Sequence, residues 1–499
     1  MTANPRFLGV LVFVVGTASL GAEIAVARLM APYFGASTII WANTIGVVLV
    51  ALSIGYWLGG RLADRRPEVR SLCLVVLVAA VLLAIVPLIA RPFFDLSVDA
   101  LDEIEAGAFV GSLAAVLLLV AIPIVMLGTC SPWALRLAVT DVEHAGRTAG
   151  RLYALSTVGS LTGTMLSALA LIPLVGTQRT FLIFALALAL VAAAGLGWRF
   201  VVVPVAVAAA IALPVGTLKA SDDGEILYEA ESEHQYIRVT EESDGDRVLE
   251  LNEGQAVHSL LPARGYRTAD YWDSFLVLPF AARSEPPRRI AILGNAAGTI
   301  ARSYGRFWPE TKVDGVEIDP ELSEVGHRYF DMGSNENLTV FDEDARPWLR
   351  RSDGGYDLIV VDAYRQPYIP FYLATKEFFE LVRERLAPGG VVVVNVGHPE
   401  GSDDFEQVLG ATMAAAFPTV LRDPAEQTNT LMLGSEAPAS SERLAAAARE
   451  RMRGNLRKLA LIDAARLTPR LPGGAVYTDD RAPVEWLVDR SILGYAGGE

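Results

Sequence analysis

Ile290-Ala-Ile-Leu-Gly-Asn-Ala-Ala-Gly-Thr299 decides the fold of the second half of this 499-residue chain. Four apolar residues closed by Gly294 read as a buried strand running into a turn, and a helix follows Gly298. At such a helix start the backbone can come close to a ligand. Outward from it, Val313-Asp-Gly-Val-Glu-Ile-Asp319 and Tyr356-Asp-Leu-Ile-Val-Val-Asp362 repeat the theme, each an apolar strand tipped by an acid. Leu338–Phe341 precedes Asp344, and Ala387-Pro-Gly-Gly390 opens the strand Val391–Val396. Strands alternating with helical stretches imply a parallel sheet covered by helices on both faces. Short strands at Ile226–Tyr228, Tyr236–Val239 and Arg247–Leu251 precede this region as a small β part.

Before residue 220 the chain is compatible with lipid. Apolar segments run at 7–31, 38–60, 71–91, 108–137, 152–176, 179–198 and 200–218, each near or above the ~20 residues that span hydrocarbon. Arg61, Arg65, Arg66 and Arg70 mark the loop after the second segment as cytoplasmic, and the acidic stretch Asp95 to Glu105 reads as external. Arg136, Arg147, Arg151 and Arg199 return the chain to the inside, so the amino terminus starts in the cytoplasm of a multi-pass cell-membrane protein. The last segment is short and carries Pro204 and Pro214. Seven crossings put the following domain outside, and six put it inside. The side stays open.

Three boundaries follow: a membrane domain of about seven helices over 1–219, a small β part over 220–285, and an α/β domain over 286–499. Gly55-Tyr-Trp-Leu-Gly-Gly-Arg-Leu-Ala-Asp-Arg-Arg66 resembles the loop between helices two and three of major-facilitator transporters, and it also reads as a tight turn with basic anchors. Glu23 and Arg28 are costly charges inside the first span; they either line a polar path or stabilise helix contacts. Gly159-Ser-Leu-Thr-Gly163 has the small-residue spacing of close helix packing.

Hydrophobic residues make up 52% of the chain, and mean hydropathy is +0.36. The formal charge of −15 argues against nucleic acid as a partner, because that binding needs basic surface. Cys73 and Cys130 form no CxxC motif, and the five histidines show no ligand spacing, so no metal site is expected.

Glu317 ends the second strand of the α/β region, 23 residues beyond Gly294. A carboxylate there can accept from both hydroxyls of a ribose. Asp344 can accept from an adenine amino group, and Asp362 points into the same crevice at the carboxyl edge of the sheet.

At these residues the chain resembles the spermidine synthase family, aminopropyltransferases with the Rossmann-like fold of class I methyltransferases, and most of all its membrane-fused branch. The resemblance covers roughly 225–490 and implies a multi-span helical membrane domain, a small β domain and a Rossmann-like domain. The family's Ser-x-Tyr-Gln segment, which contacts methylthioadenosine, reads Ser232-Glu-His-Gln235 here. Its Tyr-His-Glu segment appears as Tyr271-Trp-Asp273. Glu317 and Asp344 fall on the ribose and adenine positions, and Asp362 falls on the catalytic aspartate. Gln235, Gly294, Gly298, Ala345 and Pro370 complete the implied nucleoside set. Tyr271, Trp272, Asp273, Tyr364 and Asp480 form the implied amine set, with Tyr368 a further aromatic candidate.

Two positions depart from the family: Ala296 stands for an ammonium-binding aspartate, and Arg365 stands near a second acid. Asp479 and Asp480 can supply replacement charge or simply form a surface turn. The resemblance implies no tightly bound cofactor. Decarboxylated S-adenosylmethionine would be the cosubstrate, a polyamine such as putrescine the acceptor, the lipid bilayer a partner, and a homodimer is common in the family. Ala296 keeps an S-adenosylmethionine-dependent methyltransferase open as an alternative. Arg365 and the transporter-like segment keep open a polyamine transporter or sensor.

Overall fold

The computed structural model describes residues 4–34, 38–104, 107–212, 224–252, 257–364, 369–398 and 400–487. Arg365 and Tyr368 lie outside the described residues. The chain divides into two compact units, Met1–Ala220 with Ala230–Tyr236, and Ser221–Glu229 with Ile237–Glu499.

The helical unit contains α1 (Pro5–Phe34), α2 (Thr38–Arg65), α3 (Val69–Ile104), α4 (Gly107–Leu119), α5 (Ala121–Gly128) and α6 (Cys130–Ala138). It continues with α7 (Ala145–Leu166), α8 (Ile172–Val175), α9 (Thr177–Leu196) and α10 (Val202–Ala212). Among the described residues, six stretches are long and apolar enough to cross a membrane. The seventh segment read from the sequence, 200–218, includes the shorter helical stretch Trp198–Ala212, and residues 213–218 lie outside the described residues. At about 1.5 Å per residue that stretch falls short of a ~30 Å core. The stretch expected as an external loop, 95–105, continues α3 as helix to Ile104.

Close helix packing explains the glycine spacings. A Cβ on Gly159 or Gly163 of α7 would collide with the Phe13 and Thr17 carbonyl groups of α1. Gly55 and Gly59 of α2 press likewise on Gly128 and Thr129. The transporter-like segment is therefore mostly helix, not a turn: α2 runs to Arg65, with Arg61 stacked 3.7 Å over Trp57 and Asp64 paired to Arg136 at 3.3 Å.

The second unit begins with an antiparallel sheet in the order β1 (Glu225–Glu231), β2 (Tyr236–Glu241), β3 (Arg247–Leu251) and β4 (Val257–Leu261). Then come β5 (Arg289–Leu293), α11 (Thr299–Phe307), β6 (Lys312–Glu317), α12 (Pro320–Tyr329), β7 (Leu338–Asp342), α13 (Ala345–Arg351), β8 (Tyr356–Val361) and α14 (Lys376–Arg385). The rest are β9 (Leu386–Gly397), α15 (Asp404–Ala414), β10 (Thr419–Pro424), β11 (Asn429–Ser435), α16 (Ser441–Arg451), α17 (Gly454–Arg466) and β12 (Thr468–Pro469). The eight-stranded sheet runs β12-β10-β11-β9-β8-β5-β6-β7. Strands β9 to β7 along this order are parallel, and β11, β10 and β12 extend it antiparallel.

Strand alternation divides the core. Ile290, Ile292, Val391 and Val393 face the layer built with α11, α16 and α17. Ala291, Leu293, Val392 and Val394 face the layer of α13, α14 and α15. Both faces are buried, so these strands read as unbroken apolar runs. Strand order reverses at β5, and in open α/β sheets ligands bind at the carboxyl ends of the strands beside such a reversal.

Replacing Gly163 with valine should force α1 and α7 apart at a cost of roughly 2 kcal/mol. Thermal unfolding of the full chain in detergent should show the helical transition lowered and the α/β transition unmoved.

Candidate functional site

Backbone contact between β5 and β8 creates the site. The Asp362 N–H donates to the Leu293 carbonyl at 2.9 Å. Gly294, at φ 90°, lies so close to the Asp362 carbonyl that no side chain fits there. The glycine therefore serves the junction of two strands. It also turns the chain into the loop whose Ala296 takes φ 43°, an uncommon conformation for alanine. That twist sends the Ala296 N–H to Glu317 Oε2 at 2.8 Å, while Asp319 N–H reaches Oε1 at 3.2 Å. Glu317 is buried, and burial outweighs these N–H groups, pushing its carboxyl up to about 7. Gly298 begins α11 in the left-handed region against Met332.

Asp362 projects just past β8 into a nest of donors. Asn395 Nδ2 donates to Oδ1 at 2.8 Å. Trp272 Nε1 and Tyr271 Oη donate to Oδ2 at 3.2 and 3.3 Å. The Tyr271 and Trp272 rings pack with centroids 4.7 Å apart. Asn395 is itself oriented, because Asn429 Nδ2 donates to its Oδ1 at 2.9 Å and leaves its amide nitrogen for Asp362. Tyr364 Oη donates to the Asn395 carbonyl at 3.0 Å. Burial pushes the Asp362 carboxyl up to about 6 despite three donors that favour its anion. The desolvation cost wins over the hydrogen bonds.

A second carboxyl group sits beside this one. Asp270 Oδ1 and Glu426 Oε1 both accept from the Tyr271 N–H, at 2.6 and 2.9 Å. Burial, then the adjoining Glu426 carboxyl, pushes Asp270 up to about 7. The negative charge of Asp270 also acts on Asp362.

The other expected residues are distributed unevenly. Asp344 caps α13 by accepting from the Arg346 N–H and takes the Tyr372 hydroxyl at 2.8 Å. It lines an open cavity of about 410 Å³ with Arg346, Pro347, Arg350, Tyr372 and Asp479. Ala345 begins α13, and Pro370 precedes the short turn Phe371–Leu373. Gln235 is buried in the β1–β2 turn, where its N–H donates to Ser232 Oγ.

Two expectations are corrected by geometry. Asp273 is 1% exposed and fully engaged by Arg267 Nε at 2.9 Å and the N–H groups of Thr268 and Ala269. It staples a loop and leaves no oxygen for a substrate. Asp479 offers no spare charge, because the Arg346 fork holds it at 2.8 and 2.6 Å, keeping its carboxyl below the usual range. Asp480 is exposed on the adjoining turn. Asn395, Asn429, Asp270 and Glu426 were not singled out from sequence. Asn395 alone carried a signal, as the polar residue in an all-apolar strand.

Among the described residues, no group of three His, Cys, Asp or Glu side chains can hold a metal ion. The arrangement sets one buried carboxyl at the end of β6 and one proton-accepting carboxylate at the end of β8.

Residues 276–425 match the family described as "Spermine/spermidine synthase domain". The chain is 34% identical over 221 residues to a "Probable polyamine aminopropyl transferase" of Bifidobacterium longum, covering 44% of this chain and 48% of that one. It is 32% identical over 150 residues to a "Polyamine aminopropyltransferase" of Vibrio vulnificus, covering 30% of this chain and 50% of that one. The chain thus spans about half the length of these curated relatives. A solved "probable spermidine synthase from Corynebacterium glutamicum" aligns with a TM-score of 0.41 at 21% identity, over 53% of this chain and 99% of that one.

Asn395→Ala should move the titration midpoint of Asp362 upward by about one pH unit, the worth of one lost hydrogen bond. Carbon NMR of aspartate-labelled protein, with Asp362→Asn to assign the signal, reads it directly.

Proposed function

We propose, from the membership of residues 276–425 in the spermine/spermidine synthase domain family, that this chain is a membrane-anchored polyamine aminopropyltransferase. Its donor would be decarboxylated S-adenosylmethionine, its acceptor putrescine or a related amine, and methylthioadenosine would leave. The observation that carries the reading is Asp362, a carboxylate at the switch point held by Asn395, Trp272 and Tyr271 with its proton affinity raised.

The sulfonium is already a good leaving group, so the protein has two tasks: alignment and a free nucleophile. Glu317 would grip the ribose hydroxyls, and Asp344 would accept from the adenine amino group. The acceptor arrives as an ammonium, with a pKa near ~10.4 by analogy with lysine. Once that ammonium has lost a proton, its nitrogen attacks the methylene next to sulfur; the N–C bond forms as the C–S bond breaks, and the sulfur keeps the electron pair. The nitrogen's proton passes to Asp362, directly or through water. A carboxyl near 6 is ionised at neutral pH yet a better acceptor than an ordinary aspartate near ~3.9.

A diamine has a second positive end. With Ala296 lacking a carboxylate, Asp270 and Glu426 supply negative charge beside Tyr271. Ala296 also leaves room for a donor that keeps its carboxylate, which would make the enzyme a methyltransferase. Six crossings would return the chain to the side on which it starts, so the α/β unit would face the cytoplasm.

Purified full-length protein given each labelled sulfonium with putrescine should form spermidine only from the decarboxylated donor. Methylated product would favour the methyltransferase. Asp362→Asn should lower kcat about 10²-fold or more. Protonation disables Asp362, so kcat/KM should fall as pH drops through about 6. Asp270→Asn should raise KM for putrescine roughly tenfold, the worth of one charged contact, with kcat changed far less.

A further inference from the structure

Asn395 interrupts the apolar run Val391–Val396 and is 2% exposed, so both ends of its carboxamide need partners. The two ends have nearly the same shape, and packing does not choose which one faces Asp362. A carboxylate only accepts, whereas a carboxylic acid also donates. An unpinned Asn395 would turn its nitrogen to the anion and its oxygen to the acid. It would then stabilise both forms of Asp362 and favour neither.

Strand β11 removes that freedom. Asn429 pairs across the ladder with Gly397, and Asn395 pairs with Leu431. The two asparagines are therefore diagonal neighbours on one face, and Gly397 puts no side chain between them. Asn429 Nδ2 donates to Asn395 Oδ1 at 2.9 Å, while Thr428 Oγ1 donates to Asn429 Oδ1 at 3.1 Å. The backbone on either side is held as well. His398 N–H donates to the Thr428 carbonyl at 2.9 Å, and Glu426 N–H donates to the Asn429 carbonyl at 3.0 Å. Reversing Asn395 would set its NH2 group against that of Asn429, donor facing donor.

Asn395 Nδ2 is the close donor to Asp362 Oδ1, at 2.8 Å; the Tyr271 hydroxyl stands 3.5 Å from that oxygen. On the other oxygen, Trp272 Nε1 can only donate. Burial and the charge of Asp270 raise the proton affinity of Asp362, against the donors Asn395, Trp272 and Tyr271. Tyr364 is the remaining titratable group that acts on it, and its hydroxyl is given to the Asn395 carbonyl. We propose that Asn429 is a positioning residue: it locks the Asn395 carboxamide with its nitrogen toward Asp362 and so keeps that carboxyl free to accept a proton. Its use in catalysis rests on the reading of Asp362 as the proton acceptor in aminopropyl transfer; the lock itself does not.

Carbon NMR of aspartate-labelled full-length protein in detergent reads the Asp362 midpoint whether or not the chain transfers aminopropyl groups. Asn429→Leu should raise that midpoint by about half a pH unit, less than Asn395→Ala because Asn395 still donates to the anion. In the Asn395→Ala background Asn429→Leu should add nothing, since its effect passes through that amide. Asn429→Ser, a gentler change at this half-buried strand end, should reproduce the shift where leucine disrupts folding. The acid limb of kcat/KM for aminopropyl transfer should move with the midpoint, and the lost rate should return as pH rises well above it. A merely structural role would not give that recovery. An unmoved midpoint in the folded Asn429 variants would overturn the lock, and so would an equal shift with and without Asn395. A raised midpoint in protein that forms no spermidine upholds the lock and counts only against Asp362 as the proton acceptor of the transfer.

Discussion

The junction of β5 and β8 is the constraint on which the α/β unit depends. The two parallel strands pair through Leu293 and Val361, and just beyond them the Asp362 backbone sits against Gly294. That contact projects the Asp362 side chain into the crevice. It also forces the turn that carries Ala296 under Glu317. One backbone contact thus sets two acids, Glu317 and Asp362. A Cβ at residue 294 would misplace both.

The donors to Asp362 come from two separate places, the 271–272 turn and β9, and Asn429 at the start of β11 orients the second. None is local in sequence, so the carboxylate acquires its surroundings only when the sheet is complete. The 271–272 turn is itself held by Asp273, which gathers the 267–269 backbone and Arg267 around one buried carboxylate. Asp273 thus reaches the site through position rather than contact. Its loss would loosen Tyr271 and Trp272 together.

The strand ends were legible because buried parallel strands are written as continuous apolar runs, and an acid closing such a run is conspicuous. Glu317 and Asp362 emerged that way, and Gly159 and Gly163 emerged by spacing. Asn429 and Glu426 did not, because one opens β11, the other sits in the hairpin turn before it, and their partners lie 34 and 155 residues away. Asp273 and Asp479 misled for the opposite reason. A carboxylate near a motif looks available until its cation is seen, and Arg267 and Arg346 arrive from other segments. The α3 extension past residue 95 was missed because charge suggested a loop where the backbone simply continues.

That distinction sorts the acids of the whole chain. Several buried or half-buried carboxylates have an arginine: Glu250 has Arg238 at 2.7 Å, Asp423 and Asp463 share Arg466 at 2.7 and 2.8 Å, and Glu406 has Arg422 at 2.8 Å. Where the pairing is one to one, removing one member costs about 3–5 kcal/mol by stranding the other. Glu317, Asp362, Asp270 and Glu23 have no arginine, lysine or histidine within pairing distance among the described residues. Three of them surround the proposed crevice, and the fourth lies in the helical unit. At Glu317, Asp362 and Asp270 burial without a cation raises the proton affinity instead. For the crevice, the proposed sulfonium nucleoside and amine would be the neutralising partner.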